Sequence, residues 1–247
     1  MKANFTDSSL RPLPHIVVTL MFLVGILGFF PGKNVHAQTG SAIYVKANAP
    51  GPNDGSSWTK AYTSLGQAIT AASSGDQIWV AAGTYYPGAL VTDTFHLKNG
   101  VTIYGGFAGT EALLTERNPK INVTALSGDL GVPSDLNDNV YHVVTSDGTD
   151  RTAVLDGFTI LGGNATNDIL QLDGGGILNR TGSPTLSNLV ISGNKASYGA
   201  GMFSYNGSSP LLTNITFSSN SAERAGGMYN NLNSNSILLN VTFVNNT

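Results

Sequence analysis

The sequence contains no cysteine, which excludes a disulfide-stapled scaffold and every thiolate zinc or iron–sulfur site. Charge is scarce: 11% of the 247 residues are Asp, Glu, Lys or Arg, against about 25% in ordinary soluble domains. Twelve Lys plus Arg give no basic surface able to neutralise a phosphate backbone, so nucleic acid is not an expected partner. Beyond residue 37 only His96 and His142 remain, far apart in the chain, and His-based triads and His-ligated metals find little support. No apolar run reaches membrane length, since Ile16–Phe30 has 15 residues and a spanning helix needs about 20. Glycine, by contrast, is abundant at 30 residues. With 41% apolar residues and a net charge of −3, the chain is not of the disordered kind.

The first 37 residues read as an address. Lys2 and Arg11 precede the apolar run, the helix-breaking Pro31-Gly32 follows, and Val35-His36-Ala37 puts small residues at −3 and −1 of a cut before Gln38. A basic start, a short apolar core and a small-residue exit describe a secretory signal. The expected organisation is a signal peptide over 1–37, an N-terminal cap with the first coils over 38–110, and repeated coils over 111–247. The mature chain is expected to be secreted or on the cell surface and to have no membrane span.

A period of 26 residues dominates the second half. Leu186/Leu212/Leu238, Asn188/Asn214/Asn240, Ile191/Phe217/Phe243 and Asn194/Asn220/Asn246 recur at that step, and Gly201-Met202 returns as Gly227-Met228. An irregular earlier copy runs through Asp156–Ile160 and Gly175-Gly176-Ile177, with an insertion around Asn167–Leu172. The apolar runs are two to four residues long, alternate in and out, and are punctuated by Gly or Asn, which is strand grammar. Twenty-six residues hold two or three short strands and their bends, too few for a propeller blade of about 40–50. Such units bury an apolar column only by stacking, with coils about 4.8 Å apart. Leu189, Ile191, Ile215, Phe217, Val241 and Phe243 then face inward, and Val190, Thr216 and Thr242 outward. Fifteen of the 24 Asn residues follow position 160. They fit as ladders at bends, where Asn tolerates left-handed backbone and stacked amides bond one another.

Before the repeats, Ile43–Val45, Gln77–Ala81 and Val101–Tyr104 read as strands. Ser64-Leu65-Gly66-Gln67 has the spacing of a capping box ahead of a helical face of Leu65, Ala68, Ile69 and Ala72. One amphipathic helix there covers the first coil's apolar end and its unpaired strand edges. The sequence stops at Thr247 inside a coil, so either the polypeptide continues or another chain covers that end.

These segments resemble a known group. Asp54-Gly55-Ser56-Ser57-Trp58, Gly75–Ala81, Gly83-Thr84-Tyr85, Gly100–Phe107 and Leu155–Ile160 are similar to the N-terminal half of exported bacterial β-helix proteins of the pectin-lyase-like superfamily. The alternation of Gly-Gly-Met with Phe217-x-x-Asn220 and Phe243-x-x-Asn246 resembles the repeats of polymorphic outer-membrane proteins. The resemblance covers residues 41 to 247 and implies an all-β, right-handed parallel β-helix (solenoid) with a short N-terminal capping helix. Activity does not follow, because folds of this kind host lyases, hydrolases and adhesins alike. The lyases among them hold calcium with stacked acidic side chains and use Lys or Arg as base.

Registration of the repeats tests for such chemistry. Asp173, Tyr198 and Arg224 fall at equivalent positions of successive coils and form a candidate ligand-binding column of acid, ring and base, its ends about 9–10 Å apart. The column of Asp156 continues as Ser187 and Thr213, so it stacks no carboxylates. Asp135–Asn139 is rich in oxygens but lacks the Gly and terminal Glu of a calcium loop. Gly174-Gly175-Gly176 lacks the Lys-Ser/Thr of a phosphate loop, and the scattered acids single out no catalytic pair. The expected function is non-catalytic: an exported, adhesin-like β-helix module that binds a polysaccharide or a cell-surface partner. The alternative is a polysaccharide lyase or glycoside hydrolase. No cofactor and no metal are expected, calcium entering only under the lyase reading.

Overall fold

A unit that repeats strand, bend and strand can pair its strands only with their equivalents in the units before and after it. Every strand pair among the described residues is parallel. The structure is a computed structural model that describes residues 40–133, 135–166 and 171–247. The expected signal peptide over 1–37, with its cut after Ala37, lies outside the described residues, as do residues 167–170 of the insertion. The described strands form sheets of eleven, five and three members, and together the described residues make up a parallel β-helix.

The large sheet wraps around one bend. Thr185–Ser187 and Val190–Ser192 are separate strands on either side of it, whereas Leu211–Ser218 and Ile237–Val244 run through it. At the bend Asn188, Asn214 and Asn240 have φ of 53, 56 and 54°. Gly157 takes the same place one coil earlier, with φ of 88°. Only Gly, and Asn at small cost, enters this left-handed region routinely. The bend therefore explains one recurrent Asn.

Inward side chains stack as one column. Ile160, Ile191, Phe217 and Phe243 are register partners in turn, and the last two rings lie parallel at 4.9 Å. Ile160, Ile191 and Phe217 are fully buried, and each contributes about 1.5–3 kcal/mol of burial. Phe243 keeps its place in the column but is 48% exposed on the last coil. The second recurrent Asn turns inward at the next bend. Asn194 and Asn220 are buried, and Asn194 Nδ2 donates to Asn220 Oδ1 at 3.0 Å, as Asn220 Nδ2 does to Asn246 Oδ1 at 2.9 Å. These amides replace the hydrogen bonds that the buried bends cannot take from water.

At the other end, Ser64 Oγ accepts from the Gln67 N–H and opens the helix Leu65–Ala71. Leu65, Ala68 and Ile69 join Val45, Ile78 and Ile103 in the core, so the helix does seal the apolar end. It does not protect the strand edge, which is a correction to the sequence reading. Tyr44 N donates to Gly55 O, Tyr62 N to Tyr44 O and Lys46 N to Tyr62 O, so the segment from Gly55 to Tyr62 pairs the free side of Ala42–Val45. A helix satisfies its own backbone groups and has few left to offer an edge. Among the described residues no helix is long and apolar enough to cross a membrane.

Candidate functional site

After the buried-Asn bend each coil makes a short strand, a left-handed turn and a second strand. In two successive coils these are Lys195–Tyr198 leading to Met202–Tyr205, and Ser221–Arg224 leading to Met228–Asn230. Gly174, Gly199 and Ala225 take φ of 63, 58 and 57° at the turn. The residue just before that turn is Asp173, Tyr198 and Arg224 in order. Asp173 bridges Tyr198, and Tyr198 is the register partner of Arg224. The three residues named from the sequence thus stand on adjacent rungs, and two rungs span roughly 9–10 Å.

Their surroundings add what the sequence did not single out. The Arg224 guanidinium lies over the Tyr198 ring, 5.8 Å from its centroid. Tyr198 meets Tyr229 at 6.1 Å, Tyr229 meets Phe203 at 5.6 Å, and Phe203 stacks with Tyr205 at 6.0 Å. Phe203 is 3% exposed yet lies outside the central core, and the half-buried tyrosines around it form the outer surface. A continuous strip of four rings therefore borders the column. Phe203 and Tyr229 share a register column, as do Arg180 and Tyr205. Extending the same spacing a few residues past the turn would have found them.

Asp173 is held above the usual carboxylate range by burial, against the opposing pull of Arg180 and His142. His142 is buried beneath this face, its Nδ1 3.1 Å from Gly174 O and its Nε2 2.7 Å from the Gln171 amide. Burial pushes its pKa below 6.5 although both contacts favour the charged form. The imidazole thus fixes the segment carrying Asp173 from the inside and is not offered to solvent. The column holds one carboxylate, where acid–base hydrolysis of a glycoside uses two.

Elsewhere, Asp135 Oδ1 accepts from the Asn137 N–H and amide, and Asp138 Oδ2 from the Val132 N–H, so these oxygens organise their own turn. Asp156, Ser187 and Thr213 do share a column. Among the described residues no group of three or more His, Cys, Asp or Glu side chains could hold a metal ion.

Comparison with known families matches residues 48–247 to DUF1565, described as a protein of unknown function. The chain belongs to the DUF1565 family. No curated protein and no solved structure matches it. Membership accords with the parallel β-helix and brings this DUF1565 chain no assigned activity.

Proposed function

We propose that this DUF1565 protein is an exported, non-catalytic β-helix module that binds a glycan on the face carrying Asp173, Tyr198 and Arg224. One observation carries the reading: the half-buried rings of Tyr198, Tyr229 and Tyr205, packed around the buried Phe203, lie beside an acid and two guanidinium groups. Ring faces receive the C–H face of a sugar, and Asp173, Arg180 and Arg224 bond its hydroxyl groups. The tyrosine rings lie on two successive coils, so the face suits sugars lying along the solenoid.

Affinity electrophoresis and calorimetry against neutral and acidic polysaccharides test the reading, with reducing-end and unsaturated-product assays run in parallel. Binding without turnover is expected. Tyr198→Ala and Tyr229→Ala should each weaken it about tenfold, the equivalent of about 1.4 kcal/mol. Turnover abolished by Asp173→Asn or Arg224→Ala would instead establish a lyase or hydrolase. Export is tested by the N-terminus of the protein recovered outside the cell, expected at Gln38.

A further inference from the structure

A second site lies at the bend of the large sheet. From the coil of Val154–Asp156 onward that bend takes two residues, Gly157-Phe158 and then Asn188-Leu189. One coil earlier the chain instead leaves after the strand Thr102–Phe107, makes a long excursion and returns at the strand Thr124–Ser127. The excursion overhangs the bends of the next three coils and encloses with them an open cleft of about 680 Å³. That volume falls in the range of roughly 300–1,000 Å³ found for ligand sites.

The wall is fixed before any ligand arrives. Arg117 Nη2 donates to Asp156 Oδ1 at 2.7 Å, its Nη1 donates to Gly105 O at 3.0 Å, and its guanidinium lies 4.9 Å from the centre of the Tyr104 ring. Glu111 accepts from the N–H groups of Ala108, Gly109 and Thr110, and the Trp58 indole donates to Glu111 O. A preformed wall spares a ligand the cost of ordering it.

The chemistry of the cleft selects its occupant. The floor carries the exposed amides of Asn188 and Asn214, part of a ladder in which Asn214 donates to Asn188 and Asn188 to Asp156, and which continues beyond the cleft as Asn240 donating to Asn214. Each amide keeps a second N–H and a second lone pair beyond the ladder, one pair per rung. These are the donor and acceptor groups that a peptide backbone needs. The walls are aliphatic, from Leu114, Pro119, Val123 and Val190, and the one ring in the lining, Phe158, is 2% exposed. A sugar site would offer a ring face; this cleft offers room for aliphatic side chains. Among the described residues its lining includes Arg117 and Lys120 and no carboxylate, on a chain of net charge −3. Arg117 is neutralised by Asp156, which leaves the exposed Lys120 as the cation facing a ligand.

We infer that the cleft under the 108–123 excursion is a docking site for an extended acidic peptide segment bearing aliphatic side chains, laid along the Asn ladder across three coils. The test is selection of random heptapeptides displayed on phage against the whole protein. Selected peptides are then made as fluorescein conjugates and titrated by anisotropy. Peptides combining Asp or Glu with Leu, Ile or Val are expected to enrich. Their affinity should fall at least tenfold in Lys120→Glu and in Val190→Trp, and several-fold between 50 and 500 mM salt, as a contact that salt screens must. Both residues are exposed, so both variants should keep the wild-type circular dichroism and melting temperature. Tyr198→Ala, on the glycan face, should leave peptide affinity unchanged, which separates this site from the one proposed above. Failure of any peptide to prefer the wild type over Val190→Trp, enrichment of basic peptides, or tighter binding of an acidic oligosaccharide than of the selected peptides would each overturn the inference.

Discussion

Replacing Asn220 by Leu removes four hydrogen bonds from the interior. Its Oδ1 accepts from Asn194 N and Asn194 Nδ2 at 3.1 and 3.0 Å, and its Nδ2 donates to Ile191 O and Asn246 Oδ1 at 2.8 and 2.9 Å. Asn194 Nδ2 keeps its bonds to Ile160 O and Ser192 O. The Asn194 N–H loses its acceptor and Ile191 O loses this donor, both within the buried bend. A buried polar group stripped of its partner costs about 1–3 kcal/mol, so the substitution should cost about 2–4 kcal/mol. For a chain of this size that lowers the melting temperature by roughly 5–15 °C. The control is Asn214→Gly, which keeps the left-handed backbone and faces water. It should cost less than about 1 kcal/mol, although it sits on an equally regular ladder. Losses in a solenoid concentrate in the coils next to the change. Urea unfolding should therefore be read together with hydrogen exchange at the Asn194 and Phe217 amides, which should quicken in Asn220→Leu alone. Equal losses in the two variants, within about 0.5 kcal/mol, would refute the claim that the inner ladder carries stability and the outer one does not.

Phe217→Ala opens a hole between Ile191 and Phe243 and should cost about 3–5 kcal/mol by urea midpoint, at the upper end if the coils above and below stay fixed. Arg117→Ala leaves the largely buried Asp156 carboxylate without its cation. About 1–3 kcal/mol should be lost, and limited proteolysis should now cut within residues 108–123. His142 is neutral in the fold and has its pKa depressed, so the unfolded chain takes up its proton first as pH falls. Stability should accordingly decline from about pH 6.5 downward as the unfolded imidazole charges and the folded one resists. His142→Gln should flatten melting temperature against pH between 7 and 5.

Much of this molecule could be read from its period. The step of 26 residues, the alternation of apolar side chains and the punctuation by Gly and Asn placed Ile191, Phe217 and Phe243 in one column. They also placed Asp173, Tyr198 and Arg224 on successive rungs. In a stacked parallel ribbon, distance along the chain converts directly into height, so one-dimensional spacing is three-dimensional adjacency. The N-terminal helix was equally legible, because its cap and apolar face are local.

The tertiary structure decided what the period leaves out. Two Asn ladders look alike in sequence, yet one is sealed in the interior and the other lies in the open, since which side of a bend faces the axis depends on how the coil closes. Protection of the first strand passed from the helix to Gly55–Tyr62, because only a chain with free backbone groups can pair an edge. The overhanging cleft belongs to a single irregular excursion, fixed by Arg117 reaching Asp156 across 39 residues. A contact made once, between segments with no repeat to relate them, leaves no periodic trace in the sequence; it exists only when the coils are stacked.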